Sequence, residues 1–97
     1  MNNVSLQLDE QGDGGFYLMD GSSKVGEMAI NISGQNLTVY HTEVLPELEG
    51  KGLAKMMLDT MVDYARKNKL QVIPLCPYVH AQFKRHSKDY EDLWKKE

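Results

Sequence analysis

The sequence predicts an α+β domain with a mixed sheet: an antiparallel strand meander, then a βαβ unit and a C-terminal helix. Three observations predict this fold. The first 44 residues alternate short apolar segments with turns rich in glycine, serine and aspartate. Apolar residues then recur every three or four positions between residues 52 and 68. A short apolar segment with two prolines follows this helical stretch.

Four segments in the first half have the composition of strands. Turn clusters at residues 12–15, 20–23 and 33–35 separate them. Turns of this length between strands are typical of antiparallel hairpins. The four predicted strands are Val4–Leu8, Phe16–Met19, Val25–Ile32 and Leu37–Thr42.

A long amphipathic helix is predicted from Gly52 to Asn68, because its apolar residues form one wide stripe. Leu70–Leu75 reads as a buried strand after it. A strand, a helix and a strand in this order form a βαβ unit, so Leu37–Val44 and Gln71–Leu75 should be parallel neighbours. The stripe consists of Leu53, Ala54, Met57, Leu58, Met61, Val62 and Ala65.

Two prolines end this last strand. Pro74 and Pro77 have no N–H, so the strand should leave its ladder at this point. Pro77 is suited to open a helix over Tyr78 to about His86. A further helical turn is predicted from Asp89 to Trp94.

Composition limits the classes of protein. The 97 residues, 41% hydrophobic and 26% charged, fit one globular domain over residues 1–97. A single cysteine, Cys76, excludes an internal disulfide framework. With no apolar run of membrane-spanning length and no apparent secretory signal, we expect a cytoplasmic protein without a membrane partner.

Charge is distributed unevenly. Residues 1–50 carry a formal charge of −7 and residues 51–97 carry +4. An anionic ligand should therefore favour the second half. The pI near 5.6 argues against a nucleic-acid partner, since such domains are usually strongly basic.

The loop between the fourth strand and the long helix carries Gly50 and Gly52. Free N–H groups and the positive end of the helix dipole favour an anion at a helix start. Glycines let the backbone approach a phosphate closely, and Lys51 and Lys55 would add positive charge. The same loop is also compatible with a plain tight turn, and neither common nucleotide-binding glycine motif is present.

With the strand meander before it and the strand after it, this loop resembles the pyrophosphate-binding signature of the GCN5-related N-acetyltransferases. That signature has glutamine or arginine, then any two residues, glycine, any residue, and glycine or alanine. Gly52 and Ala54 match, whereas Glu49 stands at the position of the glutamine or arginine. Because a carboxylate repels a pyrophosphate, we expect Glu49 to turn outward.

The resemblance is greatest to a branch of very small members, the bacterial YjdJ-type proteins and the animal N-acetyltransferase domain-containing protein 1. Residues 41–44, 49–54 and 75–79 carry it, together with residues 84–86 and Tyr90. It extends over more than half of the chain. This branch lacks the early helices and last strands that enclose the acceptor in larger members.

The resemblance implies that acetyl-CoA is the cofactor and that its pantetheine arm inserts between two splaying parallel strands. Glu43, Val44 and Leu45 would then offer backbone groups to pantetheine. The pyrophosphate would be bound by Gly50, Lys51, Gly52, Leu53, Ala54 and Lys55.

Three residues are candidates for the chemistry, each with a structural alternative. The resemblance makes Tyr78 a candidate proton donor to the CoA thiolate, because family members often have a tyrosine just beyond this strand; the alternative is that it closes the core. Cys76 is a candidate acetyl carrier, favoured as thiolate by the helix start after it, or it is a small buried side chain. His41, expected on the same face as Leu37 and Val39, is a candidate base for it, or a core histidine.

No metal site is predicted, because Cys76 and His80 have no second ligand pair. The sequence thus favours an N-acetyltransferase that acts on an unidentified small-molecule or protein amine, as a monomer or weak homodimer. A CoA-binding module without catalysis and an interaction domain that uses the opened sheet remain alternatives.

Overall fold

The computed structural model describes residues 2–96 and contains one mixed sheet covered by helices. In chain order the strands are β1 (Asn2–Leu8), β2 (Asp13–Asp20), β3 (Ser23–Ser33), β4 (Asn36–Val44) and β5 (Gln71–Pro74). The helices are α1 (Leu53–Lys67), α2 (Pro77–Arg85) and the short α3 (Ser87–Tyr90). A 3₁₀ turn, Pro46–Leu48, lies between β4 and α1.

The strands lie in the order β1-β2-β3-β4-β5, which is also their order along the chain. The first four are antiparallel neighbours, as the short turns predict. β4 and β5 are parallel, with Leu37 opposite Val72 and Val39 opposite Pro74. The predicted α+β class, the meander and the βαβ unit are all confirmed.

One face of the sheet forms the core and the other does not. Phe16, Leu18, Met28 and Ile30 are at most 2% exposed, whereas residues that alternate with them, such as Glu27, are only partly covered. Helix α1 packs its predicted stripe against the buried face. Each fully buried Leu or Met of this kind contributes about 1.5–3 kcal/mol to the free energy of folding.

Helix α2 begins at Pro77, as predicted, with Cys76 as its N-cap. Its buried Phe83 stacks on Tyr90 with ring centroids 4.5 Å apart, and this contact fixes the C-terminal segment. The helical turn predicted over Asp89–Trp94 is confirmed in part. Helix α3 begins two residues earlier and ends at Tyr90, whose carbonyl then accepts from the N–H groups of Leu93 and Trp94. Trp94 also forms a parallel bridge with Val72 on the outer edge of β5.

Among the described residues, no helix is both long and apolar enough to cross a membrane.

Candidate functional site

The two parallel strands separate where the sequence predicts it. The Cys76 N–H donates to the Val39 carbonyl at 2.8 Å, after β5 has ended at Pro74. From Tyr40 to Val44, β4 continues with β3 as its ladder partner. The edge of β4 that faces β5 is therefore open beyond Val39, which creates a gap between the two strands.

A β-bulge in β4 determines which side chains point into this gap. Ala29 of β3 lies opposite His41 and Ile30 lies opposite Val39, so Tyr40 is the extra residue. One extra residue reverses the alternation of faces beyond it. Thr42 and Val44 therefore share the core face with Val39, while His41 and Glu43 lie on the opposite face.

The predicted face of His41 is thus wrong, and the structure does not bring it to Cys76. Its side chain is 51% exposed, and its Nε2 lies 3.8 Å from a carboxylate oxygen of Glu27. No hydrogen bond joins His41 to Cys76 in the part of the chain that the structure describes. The bulge is the physical reason, because strict alternation would have turned His41 toward the helices.

A cavity of about 340 Å³ lies at the gap, between the end of β4, the glycine loop and the first turns of α1 and α2. Its size falls within the usual range of small-molecule sites. It is lined by Thr42, Val44, Leu48, Glu49, Gly50, Gly52, Leu53, Ala54, Lys55 and Tyr78.

The loop supplies this cavity with unpaired backbone donors. No backbone N–H from Gly50 to Lys55 donates to an acceptor within the described residues, and α1 has no side-chain cap. Gly50 and Gly52 adopt φ values of 82° and 77°, which L-residues rarely adopt. A Cβ built on either glycine would meet no atom within 4 Å, so open space lies above the loop. The arrangement is suited to an anion.

Charged side chains surround the loop. Lys51 is exposed, and the Lys55 ammonium is 3.0 Å from a carboxylate oxygen of Asp59, one turn along α1. This contact raises the pKa of Lys55. Glu49, expected to turn outward, is exposed and also contributes to the cavity lining.

Tyr78 lies in the first turn of α2 and lines the cavity. It is half-buried, and burial raises the pKa of its hydroxyl, while the nearby Lys55 ammonium lowers it. The net shift is upward, so the phenol stays protonated at neutral pH and can donate a proton or a hydrogen bond.

Cys76 lies behind the cavity wall. It is 1% exposed and is not among the residues that line the cavity. Its Sγ is 3.3 Å from the Oγ1 of Thr42, and that hydroxyl does line the cavity. Thr42 was missed by sequence reasoning, because strict alternation places it on the opposite face and nothing in the sequence marks the bulge.

The three predicted backbone partners on β4 are not equivalent. Leu45 already donates its N–H to Val25 and accepts from Leu48 through its carbonyl. Backbone groups alternate between the two edges of a strand. Glu43, two residues before Leu45, therefore turns its groups toward β3, whereas Val44 and Thr42 turn theirs toward the open edge.

A family model described as GCN5-related N-acetyl-transferase matches residues 15–93. The chain belongs to this family. The match covers β3, β4, the glycine loop and both long helices. Acetyltransferases of this family generally use acetyl-CoA. No curated protein matches the chain.

Solved structures show the same fold. A GCN5-like protein from Staphylococcus aureus, determined by NMR, is 25% identical with a TM-score of 0.71, covering 100% of this chain and 93% of that one. The Escherichia coli ribosomal-protein-S18-alanine N-acetyltransferase is 13% identical with a TM-score of 0.66 over 74% of this chain. A ribosomal-protein-alanine N-acetyltransferase from Brucella melitensis is 19% identical with a TM-score of 0.64 over 91% of this chain. This chain spans 64% of the length of the E. coli enzyme and 65% of the length of the Brucella enzyme.

Proposed function

We propose that this chain binds acetyl-CoA in the cavity between β4, the glycine loop and α2, and transfers its acetyl group to a primary amine. One observation carries the proposal. A run of unpaired N–H groups from Gly50 to Lys55 and an open strand edge at Thr42–Val44 border the same cavity. An anion-binding loop beside a free strand edge matches a cofactor with a pyrophosphate and an amide-containing arm.

The pyrophosphate would lie on the glycine loop. Backbone N–H groups donate best to charged oxygens, and these hydrogen bonds are roughly twice as strong as neutral ones. Lys51 has no acidic partner within 4 Å among the described residues, so its charge is available to the phosphates. Lys55 adds a second positive charge, although Asp59 offsets part of it.

The pantetheine arm would lie along the open edge of β4. Its two amides can pair with strand backbone in the manner of an added strand. The facing groups belong to Val44 and Thr42, while Glu43 and Leu45 face β3. We therefore assign the pantetheine contacts to Val44 and Thr42 in place of the three consecutive residues 43–45.

The transfer step places the thioester between Thr42 and Tyr78. The lone pair of a neutral amine attacks the carbonyl carbon, a C–N bond forms and the C–S bond breaks. The CoA thiolate leaves and takes a proton from the Tyr78 hydroxyl, and the amine nitrogen gives up a proton. Proton transfer from a positioned acid contributes about 10²–10⁴-fold to the rate.

The proton of the amine is assigned to the open side of the sheet. His41 lies there, with its Nε2 3.8 Å from a carboxylate oxygen of Glu27. In this scheme His41 accepts a proton from the attacking amine and does not serve Cys76. The arrangement keeps the acid and the base on opposite sides of the reacting carbon.

Direct transfer is preferred to a route through Cys76. A thiol that is 1% exposed behind Thr42 would have to move before it could attack a thioester. The two routes are separated by intact mass after incubation with acetyl-CoA. Direct transfer predicts no added acetyl group at Cys76 and a Cys76→Ala variant that retains activity.

The single free thiol also supports a reducing cytoplasm as the compartment.

The first experiment is an NMR titration of ¹⁵N-labelled protein with acetyl-CoA, beside ATP as control. The proposal expects shifts at Val44, residues 50–55 and Tyr78 with acetyl-CoA, and smaller ones with ATP, which lacks pantetheine. No shift at millimolar acetyl-CoA would overturn it. Binding without any acetyl transfer would instead support a CoA-binding module without catalysis.

A further inference from the structure

A second cavity lies at the outer edge of β5, away from the glycine loop. Its volume is about 560 Å³, larger than the first. Its walls come from the end of β5 and from the C-terminal segment. The function proposed above leaves it without an occupant.

The two cavities lie on either side of one short segment of chain. Pro74 and Leu75 line the second cavity, and Tyr78 lines the first. Between them stands Cys76, whose N–H makes the hydrogen bond to Val39 next to the gap. Tyr78 lies three residues after Leu75, and a chain spans at most about 3.4 Å per residue, so their backbones lie within about 10 Å of each other. A ligand in the second cavity would have to extend over this distance, past Leu75, to reach the gap.

The walls of the second cavity are apolar. Leu75 is 59% exposed, more than any other large hydrophobic residue that the structure describes. Ile73 and Pro74 continue this wall along β5. Trp94 closes the other side, and its segment is fixed by hydrogen bonds from Val72 to Leu93 and from Lys95 to Val72.

The rim of the second cavity is cationic. Lys95 and Lys96 line it, and the Lys96 ammonium lies 4.7 Å from the centre of the Trp94 ring. His80 also lines it, with its ring edge-on to Trp94 at 5.9 Å. None of the described residues that line it carries a carboxylate.

We propose that this cavity is the acceptor site, and that the acceptor is an amine with an apolar body and a carboxylate. The proposal rests on acetyl transfer at the first cavity. The apolar body would lie between Leu75 and Trp94, and the carboxylate would meet Lys95 and Lys96. The amine then reaches the gap, attacks the thioester carbon to form the C–N bond, and releases CoA thiolate.

Charge distinguishes this acceptor from other amines. A polyamine or a lysine-rich peptide would bring additional positive charge to two lysines, and the described lining residues hold no carboxylate to compensate. An amine whose carboxylate is masked as an amide would keep the apolar contact but lose the charge pair. The structure therefore predicts an order of preference among three simple probes.

The experiment compares L-phenylalanine, phenylalaninamide and putrescine, with fluorescence read on the protein saturated in CoA and acetylation measured with acetyl-CoA as the donor. Trp94 is the only tryptophan, so its fluorescence reports directly on the cavity. We expect phenylalanine to quench it and to be acetylated at least tenfold faster than phenylalaninamide, with putrescine slowest. Equal or faster acetylation of putrescine would overturn the proposal.

Variants test the two parts of the site. Lys95→Glu with Lys96→Glu should reverse the order, so that phenylalaninamide exceeds phenylalanine. Leu75→Glu should abolish quenching by phenylalanine. Lys67→Glu with Lys88→Glu, an equal charge change at two exposed lysines outside the cavity lining, is the control and should keep the original order.

The affinity for acetyl-CoA separates this proposal from the one on which it rests. If acetyl-CoA binds every variant equally and none of the three probes changes Trp94 fluorescence or is acetylated, the acceptor assignment is wrong and the first site stands. If acetyl-CoA does not bind the unmodified protein, the first proposal fails. Quenching by phenylalanine, lost in Leu75→Glu, would then still establish the second cavity as a binding site.

Discussion

Gly52→Ala is the sharpest test of the glycine loop. Gly52 is the N-cap of α1 with φ of 77°, and an added Cβ would meet no protein atom within 4 Å. The substitution therefore has two separable effects. It strains the backbone by about 1–2 kcal/mol, and it places a methyl group in the open space where a pyrophosphate would approach.

The chain offers a matched control in Gly21. It lies in the turn between β2 and β3 with φ of 63°, and a Cβ there also meets nothing within 4 Å. Gly21→Ala should cost a similar strain energy. For a domain of this size each kcal/mol lowers Tm by about 4–8 °C, so both variants should show similar shifts by calorimetry.

Binding should separate the two variants. Gly52→Ala should weaken acetyl-CoA at least tenfold, which is about 1.4 kcal/mol, while Gly21→Ala should bind as the unmodified protein does. Isothermal titration at one temperature, well below both Tm values, measures this. Equal affinities in the two variants would refute the assignment of the pyrophosphate to residues 50–55.

The remaining predictions concern the acid, the buried thiol and an ion pair. Tyr78→Phe should lower kcat about 10²-fold in a steady-state assay, while its Kd for acetyl-CoA stays within twofold of that of the unmodified protein. An unchanged kcat would show that Tyr78 is not the acid. Because burial raises the pKa of Tyr78, the alkaline loss of kcat that depends on this hydroxyl should have its midpoint above the ordinary tyrosine pKa and be absent in Tyr78→Phe. Cys76→Ser should keep the contact to Thr42 and retain more activity than Cys76→Val, whereas equal loss in both would point to covalent use of the thiol. The Arg66 guanidinium lowers the pKa of Asp92, so this pair stabilises the fold above the usual carboxyl pKa near 4 and loses its effect as pH falls through the lowered value. The free energies of unfolding of Asp92→Asn and the unmodified protein, measured with urea, should therefore differ at pH 7 and converge as the pH falls below the lowered pKa of Asp92.

Local patterns in the sequence identify the elements well. Successive side chains alternate between faces in a strand and return to the same face every 3.6 residues in a helix. When one face is buried and the other is exposed, the spacing of apolar residues therefore shows which element is present. Five strands, α1 and α2 follow from this rule. The glycine loop is also local, since its function needs only a helix start and backbone that accepts positive φ.

Long-range pairing was predictable only where topology constrains it. The parallel contact of β4 with β5 follows from the βαβ connection, which has one favoured hand. The prolines at 74 and 77 indicate where pairing stops because they lack an N–H. Trp94 could not be placed in this way, since its bridge to Val72 depends on how the stacked Phe83 and Tyr90 direct the C-terminal segment.

The sequence by itself therefore determined the order and type of the elements, the anion-binding loop and the place where the parallel strands separate. The tertiary structure alone decided which side chains meet at that gap. The bulge at Tyr40 turns His41 away and brings Thr42 to Cys76, 34 residues along the chain. The physical reason is that a bulge depends on the register between two strands, and register is a property of the assembled sheet.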